Sequence, residues 1–198
     1  MLILRKIAVT GNVACGKSTV CQFLREEGAF VVSADEIIHN LLQPNTSLGK
    51  KVILLLGNDI VEKGIFSKEK IANKVFNNPE LLQQLENLLH PPTLLQIEHA
   101  YEQAKKNDSS PLFVVEFPLL MEIKKEDLFD TVILVDCKES LAKERWQKRK
   151  KSLSDFWRRT KRLLPNKEKR EKAEFILENN HDLKALKAEV KKLYKQLT

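Results

Sequence analysis

Residues 7–18 read IAVTGNVACGKS, an apolar run that stops at Gly11 and meets a second glycine, Gly16, just ahead of Lys17 and Ser18. The chain holds only 6 glycines in 198 residues, so two of them around one short loop constrain its fold strongly. GNVACGKS fits G-x-x-x-x-G-K-[ST], with a predicted strand before it and a predicted helix after it, which is the confirming context. Gly11 lets the chain leave the strand in a conformation closed to residues with a Cβ. Asn12, Val13, Ala14 and Cys15 then fold into a nest whose amide N–H groups point inward at phosphate oxygens. Gly16 lets backbone and phosphate approach closely, and the helix from about Lys17 adds free N–H groups and the positive end of its dipole. Lys17 spans the β- and γ-phosphates, the Ser18 hydroxyl is placed to ligate Mg²⁺, and Thr19 reaches the α-phosphate. A plain tight turn before a helix is the alternative.

The chain on either side supports an α/β core. Residues 2–9 are apolar and β-branched and predict a buried strand. Helical spacing follows to about Glu27, with Val20, Phe23 and Leu24 on one face and Gly28 placed to end it. AFVVS at 29–33 predicts a second strand and Asp35 opens a second helix, which makes one right-handed βαβ unit. From about Ser47 to Asn107, KKVILLLG, KEKIANKVF, ELLQQLENLLH and PPTLLQIEHAYEQAKK carry helical spacing, broken once by the polar stretch NDIVEKGIF. Pro91–Pro92 predicts a helix end, and the stripe Leu81, Leu82, Leu85, Leu88, Leu89 predicts core. Strands return at 111–118 and 130–136. Glu139 to Glu178 reads as helical and basic. Residues 183–197 read as a last amphipathic helix, with Leu183, Leu186, Val190, Leu193 and Leu197 on one face. Strands alternating with helices predict an α/β three-layer arrangement.

Hydrophobic residues make up 42% of the chain, enough for a sizeable core. No apolar run approaches the roughly 18 residues needed to cross a bilayer. MLILRKIAVT has neither a basic leader nor a small-residue cleavage site, which points to a cytoplasmic protein with no membrane partner. Cys15, Cys21 and Cys137 are odd in number and form no CxxC pair, so reduced thiols and no cysteine metal site are expected. The net charge of +7 suits a polyanionic partner. Basic residues concentrate from Lys138 to Lys172, as either a solvated helix face or a phosphate-binding flap.

A triphosphate cup does not name a reaction. The base-recognition pattern N-K-x-D is absent and a helicase needs more chain, so the length suits a small-molecule kinase. Asp35, in VVSADEIIH, lies just past a strand's carboxyl edge, where open α/β sheets bind ligands. A carboxylate there can accept the proton of an attacking hydroxyl or hold Mg²⁺ through water. An ordinary helix N-cap is the other reading.

With these residues in place, the chain resembles the dephospho-coenzyme A kinase family. The likeness runs through VVSADEIIHNLLQPNTSLGKKV, LGNDIVEKGIFSKEKIANKVFNNPELLQQLENLLHP, VVEFPLLMEI, DTVILVDCKESLAKERWQKR and KAEFILENNHDLKALKAEV, in the family's order. It covers nearly the whole chain. It implies a P-loop NTPase-type parallel sheet flanked by helices, and ATP-dependent phosphorylation of the ribose 3′-hydroxyl of dephospho-CoA, the final step of CoA biosynthesis. It implies a nucleotide core over 1–46, 111–138 and 173–198, a helical acceptor-binding insert over 47–110 and a basic lid over 139–172. Gly11 to Thr19 then hold the ATP phosphates, with Lys17 catalytic and Mg²⁺ on Ser18. Asp35 falls on the catalytic carboxylate. His90 and Pro91, with Pro118, Leu119 and Leu120, fall at the acceptor. Arg145 and Arg149 fall on the lid, Arg145 toward substrate and Arg149 as a catalytic group, and Asn179 borders the ATP base. ATP and dephospho-CoA are the implied partners, with no nucleic acid and a monomer expected. The chain departs from the family's pattern at Ser33, where Asp is usual, at Leu163, where Gln is usual, and at His181, where Gly is usual. Glu116 is a candidate for the carboxylate missing at position 33, and it is left outside the expected site. A P-loop kinase of another nucleoside or nucleotide is the alternative enzyme. A nucleic-acid-binding protein built on a nucleotide-switch core is the alternative outside enzymes.

Overall fold

A computed structural model describes residues 4–76, 78–107 and 110–198. Leu2 and Ile3 of the expected first strand, and Asn77, Asp108 and Ser109 of the expected insert, lie outside these. The chain runs β1 (Arg5–Gly11), α1 (Lys17–Glu26), β2 (Phe30–Ser33), α2 (Ala34–Leu41), α3 (Ser47–Leu56), β3 (Val61–Glu62), β4 (Ile65–Phe66), α4 (Lys68–Val75) and α5 (Pro79–Asn107). It continues through β5 (Leu112–Glu116), β6 (Thr131–Asp136), α6 (Glu139–Lys148), α7 (Leu153–Thr160), α8 (Asn166–Lys172), β7 (Phe175–Glu178) and α9 (Leu183–Leu197). It divides into two compact units, one made of the residues up to Ser33 with Tyr101–Thr198, the other of Ala34–Ala100.

The first unit is built on a five-stranded sheet of order β2-β5-β1-β6-β7, and every pairing is parallel. Such a sheet needs both faces covered, which explains its near-continuous apolar strands. Ile7, Val9, Leu112, Val114, Ile133 and Val135 are buried in one cluster. α1 seals that cluster with Val20 and Leu24, and α9 seals it with Leu186, Val190, Leu193 and Leu197. Leu183, expected on the same face of α9, is instead 65% exposed in its first turn. Because β1 is central, its carboxyl end at Gly11 opens between two neighbours, β5 and β6.

The run Glu139–Glu178 is not helical throughout, since FILE forms the edge strand β7. Parallel pairing with β6 decides this, from Ile133 opposite Phe175 to Asp136 opposite Glu178. The local basic composition hides a strand that the sheet specifies at a distance.

The second unit gathers helices around Val52, Leu56, Ile60, Val75 and Leu85. The polar interruption NDIVEKGIF folds as a β3–β4 hairpin that turns at Lys63 and Gly64, both left-handed. α3 is capped by Thr46, whose hydroxyl accepts the Gly49 N–H at 2.9 Å. The expected stop at Pro91–Pro92 does not occur: α5 runs 29 residues straight through both prolines. Each proline removes one ladder bond, which costs about 3 kcal/mol in a helix interior. Burial on both sides of the step outweighs that, with Leu85 before it and Ile97 after it buried. The Thr93 hydroxyl adds a bond back to the Leu89 carbonyl at 2.7 Å. Leu81, Leu82 and Leu89 pack against the core as expected, whereas Leu88 borders a surface cleft. Among the described residues no helix is long and apolar enough to cross a membrane.

Candidate active site

The loop after β1 takes a shape that only its glycines allow. Gly11 lies at φ 146° and Gly16 at φ 107°, where side chains are strained. A Cβ on Gly11 would overlap the Val135 carbonyl oxygen, and one on Gly16 would overlap the Asn179 amide nitrogen. Ala14 completes the turn at φ 57°. α1 begins at Lys17 with no side-chain cap, so its first N–H groups and its dipole are free for an anion. The Lys17 ammonium folds over the loop and donates to the carbonyls of Gly11 at 2.9 Å and Asn12 at 2.8 Å. The Ser18 hydroxyl donates to Glu116 Oε1 at 2.8 Å. Glu116 ends β5, in register with Val9 of β1 and Ser33 of β2. The sequence pattern alone does not put Glu116 in the site, although its place at the end of a core strand, in VVEFP, is a usable signal.

Contacts from the far side also fix the loop. Asn179 Nδ2 donates to the Cys15 carbonyl at 2.8 Å. Arg145 donates to the Asn179 carbonyl at 3.0 Å and to its Oδ1 at 3.2 Å. An open cleft of about 410 Å³ brings Ala14, Gly16, Thr19, Arg145, Arg149 and Asn179 together. His181, the departure from the family's glycine, lines the same cleft. Val13 and Ala14 pack against Ala142, Trp146 and Phe156 of α6 and α7. Trp146 is buried as packing, with its indole N–H donating to the Ser152 carbonyl at 2.7 Å. Trp157 is 39% exposed, under the Lys143 ammonium.

α8 is tied to this unit by charge. Asn12 donates to Asn166, whose own amide donates to Asp136 Oδ1 at 2.9 Å. Arg170 bridges Asp136 at 2.8 Å and Glu178 at 2.9 Å. The Glu178 bond first, then Asp136, holds that guanidinium above its ordinary pKa. Lys169 is fully buried, with Nζ 2.7 Å from Glu122 Oε1. That same oxygen accepts the Leu164 N–H at 3.0 Å. None of these partners is legible in the sequence: apart from Arg170 and Glu178, each pair joins residues at least 30 positions apart.

The other expected site residues are divided between the two units. Asp35 is exposed in the first turn of α2, in the second unit, and since that helix starts at Ala34 it is not the N-cap. His90 and Pro91 lie on α5, also in the second unit. His90 is half-buried, and burial lowers its imidazole pKa against an opposing effect of Glu86. Pro118 accepts the Thr10 hydroxyl on its carbonyl at 3.4 Å. Leu120 is fully buried, so it can act on a ligand only by positioning its neighbours. The first unit therefore assembles Gly11–Thr19, Arg145, Arg149 and Asn179, while Asp35, His90 and Pro91 belong to the second.

Comparison with known proteins places this arrangement. The family model described as CoaE, dephospho-CoA kinase, matches residues 5–185. A dephospho-CoA kinase of Chlamydia pneumoniae is 44% identical over 195 residues, which is 98% of this chain and 96% of that protein. One from Protochlamydia amoebophila is 38% identical, over 100% of this chain and 98% of its own. The solved dephospho-CoA kinase of Campylobacter jejuni superposes with a TM-score of 0.72 at 28% identity, covering 98% of both chains. A shikimate kinase of Acinetobacter baumannii, at 14% identity and a TM-score of 0.50 over 99% of this chain and 94% of its own, shares the fold alone. The chain belongs to the dephospho-CoA kinase family, P-loop enzymes that phosphorylate dephospho-CoA with ATP.

Proposed function

We propose that the γ-phosphoryl group of ATP passes in line to the ribose 3′-hydroxyl of dephospho-CoA, with Asp35 as base and residues 11–19 as the phosphate cup. The observation that carries this reading is the Ser18–Glu116 contact of 2.8 Å, a hydroxyl and a carboxylate side by side at the mouth of the loop. These are hard oxygen donors and fit Mg²⁺, which takes few protein ligands and completes its shell with phosphate and water oxygens. When bound, the cation neutralises charge on the β- and γ-phosphates. Glu116 thus supplies the carboxylate that the family's pattern puts at position 33, where this chain has Ser33.

The acceptor oxygen loses its proton to Asp35 and attacks the γ-phosphorus, while the bond from that phosphorus to the β,γ-bridging oxygen breaks and ADP leaves. Little covalent chemistry is asked of the protein, so catalysis is positioning and charge neutralisation. Lys17 exchanges the neutral carbonyls of Gly11 and Asn12 for phosphate oxygens, and charge-assisted bonds are the stronger kind. Arg149 adds a guanidinium from the end of α6, and residues 139–172 act as the lid that excludes water. Arg145, expected toward the substrate, is bonded to Asn179, which supports a role on the nucleotide side instead. His90, Pro91, Pro118 and Leu119 serve the acceptor. Asp35 follows Ser33 by two residues, and Ser33 is in register with Glu116, which supports its role as base.

The test is Asp35→Ala. Transfer to dephospho-CoA falls at least about 100-fold, the scale of a lost general base. The ATP dissociation constant, measured by calorimetry, stays within about threefold. Near-normal turnover in that variant rejects Asp35 as base.

A further inference from the structure

We propose that the cleft at the double-proline step of α5 holds the pantetheine arm of the acceptor, a deepening that rests on the function proposed above. The cleft has a volume of about 570 Å³ and lies wholly within the second unit. That is the size range of small-molecule sites. Asn40, Leu48, Lys51, Asn87, Pro91 and Pro92 form its wall. The apolar part of that wall, which Leu41 and Leu88 extend, suits the dimethyl group and methylenes of the arm. Asn40, Lys51 and Asn87 are exposed and present polar groups to the same space.

The prolines are the specific sign. Having no N–H, Pro91 and Pro92 return no ladder bond to the carbonyls of Asn87 and Leu88, and these two residues line the cleft as well. Two carbonyls without their helical donors, beside two side-chain amides, make a strip that wants donors and can also give them. The arm carries two secondary amides in series, each with one N–H and one C=O. An adenosine or a diphosphate offers no such pair. Retaining two prolines in the interior of a helix breaks a local rule, and such breaks concentrate where function requires them. Lys51 supplies a cation for the phosphate end of the arm.

The experiment uses Asn87→Ala and Pro92→Ala in the full chain, with 4′-phosphopantetheine and 5′-AMP as inhibitors competing against dephospho-CoA. Phosphopantetheine is the arm without the nucleoside, and AMP is the nucleoside without the arm. In the unaltered protein, phosphopantetheine competes with dephospho-CoA and not with ATP. In each variant its inhibition constant rises about 3- to 10-fold, the size of one neutral hydrogen bond, while that of AMP moves less than twofold. Pro92→Ala also restores a ladder N–H, so its melting temperature rises as its affinity for the arm falls, an opposition that a structural role would not produce. Absence of competition by phosphopantetheine, or an equal change for both inhibitors, overturns the assignment. If dephospho-CoA is not phosphorylated at all, the function proposed above fails, and direct calorimetric binding of phosphopantetheine still decides the cleft.

Discussion

A methyl group at residue 16 would collide with the Asn179 side-chain amide, and the backbone there already sits at φ 107°. Gly16→Ala therefore meets both a clash and a strain of about 1–3 kcal/mol. Either the loop or the Asn179 amide that holds its Cys15 carbonyl must shift, so ATP affinity measured by calorimetry falls more than about 10-fold. Retained affinity would show that the loop does not need this shape. The GKS pattern made Gly16 legible as a phosphate residue, but not the reason this chain needs it, since Asn179 is far away in sequence. Glu116 was left out for the same cause: its partner Ser18 lies 98 residues away. The thiols give a second prediction at this scale. Burial raises the Cys15 and Cys21 thiols, and it pushes half-buried Cys137 up to about 11. At pH 8 Cys137 then holds about a hundredth of the thiolate of an ordinary cysteine. Its greater nucleophilicity recovers part of that loss, so alkylation by iodoacetamide is about tenfold slower than for a free thiol. A rate equal to that of free cysteine would contradict the burial of this thiol.

Among the elements, α8 has the most to lose from a single change. Its Lys169 is fully buried, with one carboxylate, Glu122, to balance it. Breaking one side of a buried pair leaves an uncompensated charge, which costs about 3–5 kcal/mol. Glu122→Ala should show that loss in urea denaturation. The double variant Glu122→Gln with Lys169→Met should lose less than about 1 kcal/mol, because Gln still accepts the Leu164 N–H and no charge stays buried. Equal losses in the two would mean that packing, not charge, holds α8. The sequence showed α8 only as part of a basic run, and a run of lysines does not say which one is buried. β7 was hidden in the same run, since a four-residue strand is specified by β6 beside it. By contrast, α9 was legible to its boundaries, because one amphipathic period of 15 residues carries its own signal. At α5 the local rule was sound and lost: proline disfavours a helix, yet burial on both sides of the step keeps this one intact.

At the scale of the molecule, the chain passes between its two units only twice, at Ser33–Ala34 and within α5 at Ala100–Tyr101. Each unit has its own buried cluster, so each can be stabilised by its own ligand. A ligand at a hundred times its dissociation constant adds about 2.7 kcal/mol to whatever must open to release it. Local openings report this separately for each region as slower amide exchange. With a non-hydrolysable ATP analogue, exchange should slow up to about 100-fold in β1, in the loop after it and in α1. Residues 34–100 should change far less. With dephospho-CoA alone the order should reverse, the protection centring on α3 and on α5 near Pro91–Pro92. Deuterium uptake followed by mass spectrometry reads both experiments on one set of peptides. Protection by dephospho-CoA confined to the first unit would remove acceptor binding from the helical unit, and with it the roles proposed for His90, Pro91 and the double-proline cleft. The net charge of +7 sharpens the comparison. Both ligands are anions, so a merely electrostatic association would protect both units weakly and vanish with salt, whereas seated ligands keep their separate patterns at an ionic strength near 0.15 M.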